Sequence, residues 1–188
     1  MFDRGLVCKG NTCYITDYFM VERKKILLVS ATGGENYELA HELKEIIDNA
    51  AAVFATVINL ESYDLPLYRP GTEIDNKTAQ KLSEEFESAD GFVFCAPEYN
   101  GGAPPILTNA ITWVSITTAN WRDGCNDKFA VIATSSDGSG QRFLISFRSQ
   151  LEHMGTLVLP RTITVTKGQS LNRESAERTL QSLVRYIT

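Results

Sequence analysis

The chain has 188 residues, a length that suits one domain with a core of its own. Hydrophobic residues make up 43% and charged residues 22%, and no apolar run approaches the roughly 20 residues that cross a bilayer, so the composition predicts a soluble globular protein. The net charge of −5, without a basic stripe, argues against nucleic acid as a partner.

The first part of the chain carries no clear helical or strand period. We expect residues 1–22 to be an N-terminal extension of unknown role, followed by one domain over residues 23–188. These first residues lack the basic stretch and apolar core that mark a secretory signal. A cytoplasmic location is therefore the expectation.

Cysteine and histidine usage bears on disulfides and metals. The four cysteines are too scattered for a disulfide framework in a chain that can build its own core, so reduced thiols are expected. Cys8 and Cys13 resemble half of a zinc site, but only two histidines are present to complete it. The sequence therefore predicts no metal.

Five apolar runs alternate with five helical patterns from residue 24 onward. Each run is nearly continuous, which is typical of a strand buried on both faces. The predicted strands are residues 26–29, 53–60, 91–96, 129–133 and 156–165. Helices are predicted from the apolar spacing within residues 39–47, 76–88, 104–114, 143–151 and 173–187. This alternation predicts a doubly wound α/β fold, a five-stranded parallel sheet with helices on both faces.

Three polar loops follow predicted strands, at residues 30–36, 96–103 and 134–140. In doubly wound folds ligands bind at the carboxyl ends of the strands, where the strand order reverses. We therefore expect these three loops to converge on one crevice.

The first loop reads Ser30-Ala31-Thr32-Gly33-Gly34-Glu35-Asn36 and leads into a helix, whose N-terminus favours an anion. Its hydroxyl and amide donors suit the phosphate of a mononucleotide held without a metal. The lysine of a Walker A motif and the G-x-G-x-x-G dinucleotide fingerprint are both absent from it. A glycine-rich turn in which Ser or Thr caps the helix explains the same residues equally well.

The second loop reads Pro97-Glu98-Tyr99-Asn100-Gly101-Gly102. Its proline and paired glycines predict an unusual backbone that a flat ligand can approach, with N–H groups for the polar edge of an isoalloxazine ring and an aromatic side chain for its face. The alternative is a helix-entry loop held by Pro104-Pro105, which explains the prolines but not Glu98, Tyr99 and Asn100. Glu98 and Asp137 are carboxylates of the type that forms an acid–base pair, but nothing in the sequence assigns them that chemistry.

Residues 97–113, PEYNGGAPPILTNAITW, closely resemble the signature of the NADPH-dependent FMN reductase family, which includes flavin, quinone, azo-dye and chromate reductases. Residues 60–68 are similar to that family's segment after the second strand. The resemblance runs from about Lys24 to the C-terminus. It implies a flavodoxin-like fold, a bound FMN and a homodimer or homotetramer.

The resemblance also implies which residues hold the flavin. It assigns the FMN phosphate to Ser30, Thr32 and Asn36. It assigns the ring and ribityl chain to Pro97, Glu98, Tyr99, Asn100 and Gly101. It closes the site with Ser135, Ser136 and Gly138, and it suggests that Tyr37 packs on the flavin or on a partner subunit. Many relatives carry an arginine and an extra serine in the first loop that this chain lacks, which leaves the choice of NADPH or NADH open.

The activity that the resemblance implies is that of an FMN-dependent NAD(P)H oxidoreductase. Hydride would pass from a nicotinamide through FMN to a quinone, free flavin, azo compound or similar small acceptor in a ping-pong sequence. The chemistry would take place on flavin N5, so no catalytic residue is predicted. An electron-transfer or redox-sensing flavoprotein without nicotinamide turnover, or a member of the fold without flavin, are the alternatives.

Overall fold

The computed structural model describes residues 4–9, 12–17, 23–72 and 77–188. Its first elements are two antiparallel strands, β1 (Arg4–Lys9) and β2 (Thr12–Asp17), in a register that sets Lys9 opposite Thr12. They lie in the predicted extension, where the sequence indicated no regular structure. A Gly-Asn dipeptide separates the two strands in the sequence, and such a pair is a typical hairpin signal that is too short to show as a period.

The main sheet is parallel throughout. Its strands are β3 (Lys24–Ser30), β4 (Val53–Asn59), β5 (Gly91–Cys95), β6 (Phe129–Ser136), β7 (Leu157–Val158) and β8 (Ile163–Thr166). The strand order is β4-β3-β5-β6, and both β7 and β8 pair with β6. This is the strand order of flavodoxin-like folds, so the predicted fold class is confirmed.

The fifth position of the sheet is shared by two short strands, where the sequence predicted one strand over residues 156–165. Strand β7 pairs with the start of β6 and β8 with its end. Pro160 lies between them and has no N–H to donate to the ladder. The Arg148 guanidinium donates instead to the carbonyls of Val158 (2.9 Å) and Leu159 (2.6 Å), which satisfies backbone groups where the pairing stops.

Helices cover both faces of the sheet. They are α1 (Glu35–Asp48), α2 (Lys77–Glu87), α3 (Pro105–Thr117), α4 (Gln141–His153) and α5 (Arg173–Ile187). One buried cluster joins the sheet to α1 and α5, and the other joins it to α2, α3 and α4. Among the helices of the described ranges, none has the length and apolar character to span a membrane.

The central strands β3 and β5 are buried along their whole length, apart from the first two residues of β3. Leu27 and Phe94 face α2–α4, while Leu28 and Val93 face α1 and α5. Fully burying such a side chain stabilises a fold by roughly 1.5–3 kcal/mol, so apolar residues occupy both faces. Side chains free for chemistry therefore begin where the strands end.

Candidate functional site

The carboxyl ends of β3, β5 and β6 bring three loops together. Neighbouring strands tie the loop starts to one another: Ala31 N–H donates to the Cys95 carbonyl (2.9 Å) and Ala96 N–H to the Ala133 carbonyl (3.2 Å). The loops surround a cavity of about 590 Å³. This volume lies in the range of small-molecule sites, and its place is the edge where the predicted crevice was expected.

Most residues predicted for the site line this cavity, and some do not. Those that line it are Thr32, Asn36, Pro97, Glu98, Tyr99, Ser135, Ser136 and Gly138. Those outside its lining are Ser30, Tyr37, Asn100 and Gly101. For both sets of residues, contact with a flavin stays a prediction.

The first loop leaves the start of α1 open. Ser30 is fully buried, and its hydroxyl donates to the Thr32 carbonyl at 2.7 Å, so it supports the loop from below. The N-cap of α1 is Gly34, and no side chain bonds to the N–H groups of the first turn. Capping by Ser or Thr, the alternative explanation of this loop, is therefore not what the structure shows. N–H groups at the start of α1 are available to an anion.

Asn36 joins the first loop to the third. Its Nδ2 donates to the Ser135 carbonyl at 2.8 Å, and its Oδ1 accepts from the Ser135 N–H at 2.8 Å. Asn36 is only 3% exposed. Both polar atoms of the side chain are thus engaged with backbone, and Asn36 positions the two loops that flank the cavity.

The second loop ends in a tight two-residue turn. Tyr99 and Gly102 exchange backbone hydrogen bonds of 3.1 and 3.0 Å. Between them Asn100 (φ 51°) and Gly101 (φ 77°) are both left-handed, the conformation that an Asn-Gly pair adopts at low cost in hairpin turns. Tyr99, half exposed, is held at the base of this turn beside the cavity.

Glu98 connects the second loop to α4. Its Oε2 accepts from the N–H groups of Arg142 (2.9 Å) and Phe143 (3.1 Å), in the first turn of that helix. The N-cap residue of α4, Gly140, has no side chain to do this. The Glu98 N–H donates in turn to the Ser136 hydroxyl at 2.9 Å. A carboxylate at a helix N-terminus is stabilised by the helix dipole, so Glu98 has a positioning function here.

Carboxylates dominate the charge of the cavity. Those that line it are Glu35, Glu61, Glu98 and Asp137, while Lys, Arg and His are absent from its described lining. Glu61 was missed by the sequence interpretation, although it follows the predicted second strand almost directly. Strand β4 neighbours β3, so its carboxyl end lies at the same edge of the sheet.

Two cysteines of the described residues are buried, Cys95 at the end of β5 and Cys125 before the start of β6. Cys95 ends β5 below the second loop, and burial raises the pKa of its thiol well above the ordinary value. Burial also raises the pKa of Cys125 to about 11, although Lys128 acts in the opposite direction. Both thiols stay protonated near neutral pH, which favours packing over nucleophilic chemistry. Within the described ranges, no group of three or more His, Cys, Asp or Glu side chains is arranged to hold a metal.

Known proteins resemble this chain in sequence and in fold. A quinone reductase of Escherichia coli (strain K12) is 34% identical over 101 residues, which cover 51% of this chain and 52% of that protein. A probable NADPH:quinone oxidoreductase 2 of Oryza sativa subsp. japonica is 30% identical over 111 residues, 57% of this chain and 52% of that protein. The matched segment thus spans about half the length of these curated relatives.

The solved structure of FerB, a flavoenzyme NAD(P)H:(acceptor) oxidoreductase from Paracoccus denitrificans, superposes with a TM-score of 0.72. It is 20% identical, and the alignment covers 87% of this chain and 97% of FerB, a likeness that establishes the fold. Residues 24–170 match the pattern of one family, and this range includes all three loops around the cavity. The chain belongs to the NADPH-dependent FMN reductase family.

Proposed function

We propose that the protein is an FMN-dependent NAD(P)H oxidoreductase that passes reducing equivalents to a quinone, a free flavin, an azo compound or a similar small acceptor. The observation that carries this proposal is the cavity between three loops at the switch point of the sheet, with the uncapped start of α1 at one end. The quinone reductases among the relatives support the class of acceptor.

We propose that the residues around the cavity hold a flavin mononucleotide. We place its phosphate beside Thr32, Gly33 and Gly34, where α1 begins without a side-chain cap. The ring would lie along the second loop beside Tyr99, whose half-exposed side chain lines the cavity. The third loop would close the site through Ser135, Ser136 and Gly138.

When bound, FMN supplies the hydride acceptor and donor that no side chain of the protein can supply. The protein's residues position it: Asn36 and Glu98 hold the three loops in their relative places. We propose that nicotinamide and acceptor use the same cavity mouth in turn, in a ping-pong order. We propose NADPH or NADH as the hydride donor. The homodimer or homotetramer implied by the resemblance stays a prediction.

Anaerobic mixing of the FMN-loaded protein with each nucleotide tests this function. We expect NADPH or NADH to bleach the oxidised flavin absorbance, and a quinone added afterwards to restore it. Free FMN at the same concentration, without protein, serves as the control for direct reduction. A holoprotein that stays oxidised with both nucleotides would instead be an electron-transfer or sensing flavoprotein.

A further inference from the structure

A carboxylate lies on the loop to which the proposed function assigns the phosphate. Glu61 Oε2 accepts a hydrogen bond from the Gly33 N–H at 2.7 Å. Gly33 belongs to the loop that follows β3, and Glu61 follows β4, which pairs with β3 in parallel. The neighbouring strands therefore deliver the carboxylate to the N–H groups that precede α1.

The Glu61 side chain is closely fitted to this loop. It belongs to a 3-10 helix, Leu60–Tyr63, whose N-cap Asn59 accepts from the Glu61 N–H at 3.1 Å. A methyl group on Gly33 would come within 2.8 Å of Glu61 Oε2 and 3.1 Å of Asn59 Nδ2. Glycine at position 33 thus permits the carboxylate to approach the backbone.

No cation among the described side chains forms an ion pair with this carboxylate. Of the ion pairs found among the described residues, none involves Glu61 or another side chain of the cavity lining. Glu35 also faces the cavity, and its carboxylate accepts from the Ser135 hydroxyl at 3.0 Å. A phosphate monoester carries a charge of about −1.5 to −2 at pH 7, so an FMN phosphate entering here meets like charge.

We propose that the Glu61 carboxylate competes internally for the position of the FMN phosphate and thereby weakens the preference of the site for FMN over riboflavin. The inference rests on the proposed function. Glu61 accepts the N–H that the phosphate would take, and FMN binds when the side chain turns into solvent. Because Glu61 is exposed, its displacement leaves no buried group unpaired. Glu61 is therefore a specificity-determining residue whose charge lowers the affinity for phosphorylated flavin.

Fluorescence titration of the flavin-free protein with FMN and with riboflavin tests this assignment. Glu61→Gln keeps the size of the side chain and removes its charge, and we expect it to bind FMN roughly ten-fold more tightly, because a repulsion between close charges is lost. Riboflavin affinity should change by less than about two-fold, since riboflavin has no phosphate to repel. Glu61→Ala should act in the same direction.

Glu38→Gln is the matched control. Glu38 lies in the first turn of α1, is exposed and lies outside the lining of this cavity. Its substitution therefore removes the same net charge without touching the cavity. An equal gain for both flavins, no gain for FMN in either Glu61 variant, or an equal gain in Glu38→Gln would overturn the assignment. If the wild type binds FMN and the Glu61 variants bind it with the same affinity, this assignment fails and the proposed function stays intact. Binding of neither flavin by the wild type or by the Glu61 variants would overturn both.

Discussion

A single carboxylate oxygen of Glu98 bridges the second loop and α4. It accepts hydrogen bonds from two N–H groups of the first helical turn. The N-cap residue Gly140 has no side chain that could accept from them. Hydrogen bonds to charged groups are stronger than those between neutral groups, and a negative charge suits this end of a helix. This contact is structural, and it fixes the loop that we assign to the flavin ring.

Replacing Glu98 should therefore destabilise the protein. We expect Glu98→Ala to lower the free energy of unfolding by about 1–2 kcal/mol, as loss of a helix cap does, and Glu98→Gln to lower it less because an amide oxygen still accepts. Urea denaturation measures the difference. Glu84→Ala, at an exposed position of α2, is the control, and an equal loss in that variant would show that the cap contributes nothing.

At the scale of the elements, the third loop is shaped by the residue that precedes α4. Gly140 has φ 63°, and a methyl group there would lie 2.8 Å from Thr134 Cγ2. Thr134 shares a 2.9 Å hydrogen bond with the Ser136 hydroxyl, which also accepts from Glu98. A change at Gly140 therefore reaches the second loop through two hydroxyl groups.

Gly140→Ala should reduce stability for both steric and conformational reasons. A non-glycine residue in such a conformation costs roughly 1–3 kcal/mol, and thermal unfolding should shift down by about 2–4 °C for each kcal/mol. Gly138→Ala provides the comparison within the same loop, since nothing lies within 4 Å of its added methyl group and its φ is not positive. Equal melting temperatures for the two variants would contradict the expected strain.

For the whole molecule, the buried sheet is a platform from which three loops project at adjacent strands. Side-chain contacts between these loops include Asn36 with Ser135, Ser135 with Glu35, and Glu98 with Ser136. Glu61 adds a contact from the end of β4 to Gly33. A ligand that touches all three loops binds the folded chain and not the unfolded one. Flavin binding and folding are therefore linked.

We expect FMN at about 100 times its dissociation constant to stabilise the protein by about 2.7 kcal/mol. A melting curve recorded with and without FMN should show the midpoint rising with flavin concentration. Adenosine monophosphate carries a phosphate but no isoalloxazine, so it should have little effect. A shift as large with adenosine monophosphate would indicate that the ring contributes nothing to binding.

The pattern of apolar residues in the sequence was sufficient to predict the fold. A sheet buried on both faces requires continuous apolar strands and helices with one apolar face. The pattern failed where a short signal or a single residue decided the structure, as with the hairpin β1–β2 and the break at Pro160. It also located the three loops, because the carboxyl ends of parallel strands lie at one edge. The sequence could not show that Ser30 is buried beneath its loop.

The sequence by itself determined the first four strands of the main sheet, the five helices, the edge of the sheet where the polar loops meet and the resemblance to a flavin reductase family, because each depends on residues close together in the chain. Only the tertiary structure decided which atoms meet. Asn36 bonds to Ser135 across 99 residues, and Glu61 reaches Gly33 across 28. Such partners are chosen by strand order and loop position in space, and no local propensity encodes that choice. The structure thus showed that Asn36 links two of the loops, and it placed Glu61 in the lining of the cavity that we propose for the flavin.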